Sequence, residues 1–463
     1  MKHRANLKVD RIFAPWAKPH SPGFALAVSL AGKIVYSRGY GMADLDHGIP
    51  ITPSTVFHAC SLAKQFTAMC IMLLVATRKL ALTDKVQDHI PELDGIGSRI
   101  TIADMLHHVS GIRDQWVLVT MAGWRLSDDV VTENDVLELV KRMKTLNFHP
   151  GSQFSYSNTN YTLAGLIVER VSGQSLADFA RKRILAPLGM KRTCITSTHG
   201  EIIENRAYGY RAAGKTFEIR MPNYDLTGAT NLLTTVEDLV RWTGNFDSGV
   251  VGGKAALVAM QTPVAKSNGY GLGLIIDTDD RGRVTVEHSG EDAGYRSHLI
   301  RYPGQQLAVA LLGNVLLEKI QTADLVRKVA AVYLERKRAA SGQDAGTTSA
   351  AAAAKTAAAV SAPADLKEYV GQYYSEEIDT VYEIALEGVS LQIRRKKYDP
   401  SPLHAISGDE FKVARNFSSV LTSATLQFSR DAHRKIDGFR IDDATPAPNN
   451  RLVNFRFVRL ARG

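Results

Sequence analysis

Cysteine is scarce in this chain: 463 residues hold three, Cys60, Cys70 and Cys194. They are too few and too scattered for a disulfide framework or a zinc site. Cys60 and Cys70 fall in an apolar stretch and read as small buried hydrophobes. Long apolar runs are missing too. The longest, Ala68–Ala76, is far short of the roughly 20 residues a membrane-crossing helix needs. The charged opening MKHRANLKVDRIFAPWAKPH is followed by no apolar core, so no secretory signal is visible. The expectation is a cytoplasmic protein without a membrane partner.

Other absences narrow the chemistry. No G-x-S-x-G elbow occurs, which argues against an α/β-hydrolase, and no glycine-rich phosphate loop is present. His107 and His108 are adjacent, so on a helix they point in different directions and cannot both face one metal. No metal or cofactor is expected. The net charge of +9 is spread among 56 basic and 47 acidic residues, with RRKK at 394–397 the densest cluster and no aromatic-basic recognition motif. Such a distribution is a solvated surface rather than a nucleic-acid site. The remaining partner class is a small-molecule or short-peptide substrate, with association into a homo-oligomer left open.

Hydrophobic residues make up 45% of the chain and charged residues 22%, enough for a large core, and the length suggests more than one domain. One composition break stands out: residues 339–364 are almost wholly Ala, Ser, Thr and Gly. Nothing there builds a packed face, so the stretch reads as a linker between a body, 1–338, and a tail, 365–463. The body opens with a hairpin, Phe24–Ser29 and Ile34–Tyr40 around Ala31-Gly32. Helical patterns follow at Leu62–Ala76, apolar nearly all round, and at Ile102–His108, Glu133–Met143 and Tyr161–Val171. Three strands come late, Val284–His288, Ser297–Arg301 and Leu307–Leu312, and Leu316–Lys337 closes the body as a helix. To share one sheet, first and last strands must pair across the helical middle. The class is therefore α/β in the α+β sense: an antiparallel sheet flanked by helices, with a helical subdomain. The tail shows a hairpin, Val381–Leu386 and Val389–Arg395, then Phe411–Ala414, Ser423–Ser429, Gly438–Ile441 and Asn454–Leu460, which predicts a small all-β barrel or sandwich.

Three short patterns carry chemistry. Ser61-Leu62-Ala63-Lys64 opens the buried helix, and positions i and i+3 share a helical face. A serine hydroxyl needs a base, and lysine serves only when burial or nearby charge lowers its pKa from ~10.4. Composition alone supplies roughly one or two S-x-x-K matches in a chain this long. This is the single one present, and a lysine in the first turn of an apolar helix needs a reason. The second pattern is Tyr156-Ser157-Asn158, just before a helix. A tyrosine can relay a proton and an amide can hold lysine and substrate, although a Ser/Asn-rich capping turn has the same composition. The third is His288-Ser289-Gly290 at the end of a strand. There a histidine can donate to substrate and Gly290 leaves room for its backbone.

In this order the three patterns resemble the signature of the penicillin-recognising serine hydrolases, the class C β-lactamases, DD-peptidases and their relatives. Further stretches similar to that family are LHHVSGIRDQW at 106–116, APLGM at 186–190, TVEDLVRW at 235–242 and YGLG at 270–273. CSLAKQF, SGIRDQW and FHPGSQFSYSN look most like bacterial D-aminopeptidase, which also uses histidine in its third motif and carries β-barrels after its catalytic domain. Two departures bear on specificity: the tail has room for one barrel rather than two, and Gly228–Leu232 lacks a second glycine pair. The resemblance implies a body with the β-lactamase/transpeptidase-like fold and Ser61 as nucleophile. It implies Lys64, Tyr156 and His288 as catalytic partners, and Asn158, Gly290 and Glu291 as substrate-binding positions. The amide N–H groups of Ser61 and Glu291 would form the oxyanion hole. The implied activity is hydrolysis of amide or ester bonds through an acyl-enzyme, of D-aminopeptidase or amidase type. Carboxylesterase and β-lactamase are the alternatives within the family, and a catalytically silent binding protein the alternative outside it.

Overall fold

In the computed structural model, which describes residues 2–316, 321–339, 365–413, 417, 424–443 and 452–461, the first hairpin forms from β1 (Phe24–Leu30) and β2 (Lys33–Tyr40). Its turn residues Ala31 and Gly32 have φ of 50° and 74°, the left-handed pair that matches strand twist in a two-residue turn. The late strands are β3 (Ile275–Thr278), β4 (Val284–Asp292), β5 (Tyr295–Tyr302) and β6 (Leu307–Gly313). They join the hairpin in one antiparallel sheet ordered β3-β4-β5-β6-β1-β2, so first and last segments do pair. In β1, Phe24, Leu26 and Val28 enter one core cluster while the small Ala25 and Ala27 alternate with them, as the period of two requires.

Helices accompany this sheet: α1 (Lys2–Phe13), α2 (Ala63–Ala76), α3 (Val236–Ser248) and α4 (Thr322–Ala339). Ala5, Val9 and Phe13 of α1 and Val326, Val329 and Ala330 of α4 join the β1 cluster. Helix α3 packs against β1 and β6. α4 starts later than the expected Leu316 because the chain is still extended there: Val315 bridges Tyr210, and the Leu316 N–H donates to the Tyr210 carbonyl at 3.0 Å. β4 runs past the expected end at His288 because Ser289–Asp292 pair with His298–Tyr295. His288-Ser289-Gly290 therefore lies within a strand. β3 escaped the sequence reading, being a four-residue run with little alternation.

By packing, the described chain forms two compact units, Met1–Thr83 with Tyr161–Thr348, and Asp84–Asn160 with Ser349–Gly463. The sheet and α1–α4 belong to the first. In the second, short helices Ile102–Leu106, Gln115–Met121 and Glu133–Lys141 begin at side-chain caps from Thr101, Asp114 and Thr132, each satisfying an orphan amide. Of the expected linker 339–364, only Ala339 falls among the described residues.

The tail is a closed barrel of eight strands: β7 (Gly371–Ser375), β8 (Thr380–Glu387), β9 (Ser390–Arg395), β10 (Tyr398–Ser407), β11 (Glu410–Val413), β12 (Ala424–Arg430), β13 (Ile436–Asp443) and β14 (Phe455–Arg459). β7 and β10 are additional to the expected six. β10 holds Pro400 and Pro402, which argue against a strand when read from sequence. Ala414 and Ser423, the ends of two expected strands, lie outside the described residues. Aromatic rings pack on one another inside the barrel, Tyr369 against Phe411 at 5.0 Å and Phe439 against Phe457 at 4.7 Å.

The barrel meets the helical segment of its own unit through directed bonds. Tyr382 Oη donates to the Met121 carbonyl at 2.7 Å and Tyr398 Oη to the Trp124 carbonyl at 2.6 Å. The Val453 N–H donates to Asn147 Oδ1 at 3.1 Å, and the buried Arg113 pairs with Glu377 at 2.9 Å.

Candidate active site

Ser61 sits in a 3₁₀ turn, Cys60–Leu62, that feeds directly into α2. The turn is conformationally expensive, because Cys60 has φ of 53°, a left-handed state that costs a non-glycine residue ~1–3 kcal/mol. It is held from several sides: the Ala59 N–H donates to the Leu232 carbonyl at 2.7 Å, and Ser297 Oγ on β5 donates to the Ala59 carbonyl at 2.7 Å. Cys60 is fully buried and its thiol is pushed well up by that burial. The thiol stays protonated and unreactive, while its neighbour Ser61 is partly exposed.

Lys64 is completely buried in the first turn of α2. Its Nζ donates to Ser61 Oγ at 3.0 Å and to the Ala229 carbonyl at 2.9 Å, and lies 5.8 Å from the Tyr161 ring centre. The Ala229 carbonyl reaches the lysine because the segment around Gly228 presses against its neighbours. A Cβ on Gly228 would lie 2.1 Å from the Tyr161 carbonyl oxygen, and Thr67 Oγ1 donates to the Gly228 carbonyl at 2.8 Å. The missing second glycine pair thus leaves this lysine contact in place.

His288 is buried on β4. Its Nδ1 lies 2.6 Å from the Ser289 carbonyl, which only accepts, so Nδ1 carries the proton and Nε2 accepts from Tyr270 Oη at 2.9 Å. Burial above all, with Lys64 acting in the same direction whenever it carries a proton, pushes the imidazole down to about 3, so it is neutral at physiological pH. Two residues further on, Gly290 faces the Cys60–Leu62 turn. A Cβ there would stand 2.7 Å from Cys60 Cβ and 2.9 Å from the Ala59 carbonyl oxygen; the strand approaches that closely only with glycine. Glu291 is exposed and pairs with Arg296 at 3.7 Å.

Behind the turn lies a buried polar cluster. The Asn231 N–H donates to His58 Nε2 at 3.2 Å, Asn231 Nδ2 donates to the Leu226 carbonyl at 2.8 Å, and Tyr224 Oη donates to Asp292. Burial holds His58 below the ordinary imidazole value. The cluster fixes residues 226–231 and with them the Ala229 carbonyl.

Tyr156 and Asn158 belong to the second unit. Helix Asn158–Ser172 starts earlier than expected. Its first amide is satisfied by Asp114, whose Oδ2 accepts the Asn158 N–H at 2.6 Å and Nδ2–H at 2.8 Å. Tyr156 packs against His108, ring centres 4.3 Å apart and planes tilted by 36°, and His108 Nδ1 accepts from the Ser157 N–H at 3.2 Å. Thr159 Oγ1 donates to the Arg113 carbonyl at 2.7 Å and Ser110 Oγ to Asn160 Oδ1 at 2.7 Å. The stretch 108–114 is therefore the cradle of the second motif.

Of the seven expected residues, Ser61 and Lys64 are in direct contact, and His288, Gly290 and Glu291 share their unit. Sequence reading missed Tyr270, Ala229 and Asp114 as partners. Tyr270 and Asp114 stood within the YGLG and SGIRDQW stretches, whereas a backbone carbonyl such as that of Ala229 leaves no residue-type signal.

A six-stranded antiparallel sheet flanked by helices, with Ser-x-x-Lys at the mouth of a buried helix, defines a β-lactamase-like protein. Residues 9–332 match the Beta-lactamase family, and the chain belongs to that family. It is similar to a D-aminopeptidase of Gluconobacter oxydans, 28% identical over 298 residues, covering 63% of this chain and 56% of that enzyme. In fold it is similar to the octameric penicillin-binding protein homologue from Pyrococcus abyssi, with TM-score 0.62, 23% identity and 99% of both chains covered. A D-amino acid amidase from Ochrobactrum anthropi SV3 aligns with TM-score 0.62 and 24% identity, over 72% of this chain and 99% of that one.

Proposed function

We propose that the protein is a serine hydrolase that cleaves amide or ester bonds through an acyl-enzyme, of D-aminopeptidase or amidase type. The observation that carries this reading is the buried Lys64 Nζ held 3.0 Å from Ser61 Oγ. Ser61 Oγ attacks the substrate carbonyl carbon while Lys64 and Tyr156 take its proton. The oxyanion is held by the amide N–H groups of Ser61 and Glu291, each such donor contributing ~2.7–4 kcal/mol. Collapse breaks the C–N or C–O bond, the proton passes to the leaving amine or alcohol, and water hydrolyses the ester on Ser61. Asn158 orients lysine and substrate, Gly290 lets its strand lie close against the Ser61 turn, and the neutral His288 holds Tyr270 beside the site. In this reading residues 1–338 form the hydrolase domain and 365–463 an accessory barrel. The D-aminopeptidase and D-amino acid amidase relatives support the amide class.

The test compares D-alanine amide, a p-nitrophenyl ester and nitrocefin side by side, for wild type and Ser61→Ala. Turnover of the amide or ester, an acyl adduct on Ser61 by mass spectrometry and an inert, folded Ser61→Ala are expected. Undiminished turnover in Ser61→Ala would sink the reading.

A further inference from the structure

Arg113 is fully buried, and its guanidinium is held from both parts of the second unit. From the helical segment, the Thr145 carbonyl accepts at 2.5 Å and Thr145 Oγ1 at 2.9 Å. From the barrel, Glu377 Oε2 accepts at 2.9 Å and the Val453 carbonyl at 3.4 Å, while the Phe455 ring centre lies 5.4 Å away. Glu377 stands on the turn between β7 and β8, and Val453 leads into β14. The next residue in the chain, Asp114, holds Asn158 by both its N–H and its Nδ2–H, and the Arg113 carbonyl holds Thr159.

We infer that the barrel is a positioning element for the second motif, acting through the pair of half-buried Glu377 and fully buried Arg113 on Asp114 and so on Asn158. This rests on the reading above, in which Asn158 serves the reaction. A buried ion pair is a poor way to glue two surfaces, because desolvation offsets most of its attraction and a well-packed apolar pair does as well or better. What the pair supplies is direction: the planar guanidinium fork accepts partners only along fixed axes. The dipeptide Arg113-Asp114 is short and its peptide plane rigid. A guanidinium held by the barrel therefore restrains the backbone that presents the Arg113 carbonyl to Thr159 and the Asp114 carboxylate to Asn158, and the barrel reaches the motif with no residue of its own needed there.

A double-mutant cycle separates positioning from simple stabilisation. kcat and KM for D-alanine p-nitroanilide are measured in wild type, Glu377→Gln, Asn158→Ala and the double variant, with slow residual rates read on a p-nitrophenyl ester. Glu377→Gln should lower kcat roughly tenfold to a hundredfold, the scale of a misplaced catalytic group, with KM little changed. In the Asn158→Ala background the same change should cost less than about threefold, because contacting groups in one network are not additive. Equal factors in both backgrounds, or wild-type kcat in Glu377→Gln, would overturn the inference. If Glu377→Gln does not fold, Arg113→Met/Glu377→Met removes both charges together and enters the same cycle. Full activity in Asn158→Ala with an inert Ser61→Ala overturns this inference alone, whereas activity in Ser61→Ala overturns the hydrolase reading itself.

Discussion

A substrate with a free carboxylate should gain almost nothing from His288, and the structure sets the size of that statement. With the imidazole held at about 3, charging it at pH 7.5 costs about 6 kcal/mol, at 1.36 kcal/mol for each unit. A hydrogen bond to a charged partner returns only ~1.5–3 kcal/mol. The substrate therefore cannot draw a proton onto His288. An ordinary exposed histidine, at ~6.5, would cost only about 1.4 kcal/mol to charge and would be recruited. The perturbation is a matched pair of substrates, one ending in a free carboxylate and one with that group amidated. kcat/KM is measured for each at pH 7.5 in wild type and in His288→Lys. The wild-type ratio should stay within about threefold of unity, and His288→Lys should raise it about tenfold or more in favour of the acid, the scale of one charge-assisted bond. A wild-type preference of thirtyfold or more for the free acid would refute the reasoning. Loss of that preference in Arg296→Gln would identify the cation responsible.

Lys64→Arg keeps the charge but offers no base, since guanidinium stays protonated; activity should fall ~10²–10⁴-fold, and a variant within tenfold of wild type would remove Lys64 from the proton path. Gly290→Ala places a methyl group 2.7 Å from Cys60 Cβ and should cost ~1–3 kcal/mol as overpacking, read as a lower unfolding temperature; an unchanged melt with full activity would contradict the close approach. His288 also ties stability to pH. Below ~6.5 the unfolded imidazole binds a proton that the folded one refuses until about 3, so stability drops as pH falls through that window. At pH 5 the loss is about 2 kcal/mol, and in urea unfolding His288→Gln should show a pH dependence shallower than wild type by that amount; equal slopes would mean that His288 is not held neutral.

Much of this molecule was legible because its signals were local. The hairpin at Ala31-Gly32 needed only turn chemistry and alternation, and α2 only its apolar length. Ser61 and Lys64 were legible because three residues along a helix make a face. Edges were harder. Whether β4 stops at His288 or continues to Asp292 depends on what β5 offers opposite it, and α4 starts late because Leu316 is tied to Tyr210. β10 was hidden by prolines that a barrel strand accommodates. The partners of the motif residues were hardest. Asp114 is 44 positions from Asn158 and Glu377 is 264 from Arg113, and no periodicity joins residues so far apart.

That separation has a consequence in time. The second unit is built from two pieces of chain, 84–160 and 365 onward, with the later piece of the first unit, from Tyr161, synthesised between them. A ribosome adding ~5–20 residues each second takes about 10–40 s to cover the roughly 200 residues from Asn160 to the barrel. For that interval Arg113 has emerged without Glu377, Val453 or Phe455, and its guanidinium has water where the barrel will later stand. The first unit waits as well, since β1 pairs with β2 at once but has no partner on its other edge until β6 is made. The nascent chain therefore holds Ser61 long before the strand that completes its sheet, and Arg113 long before the barrel groups that hold its guanidinium.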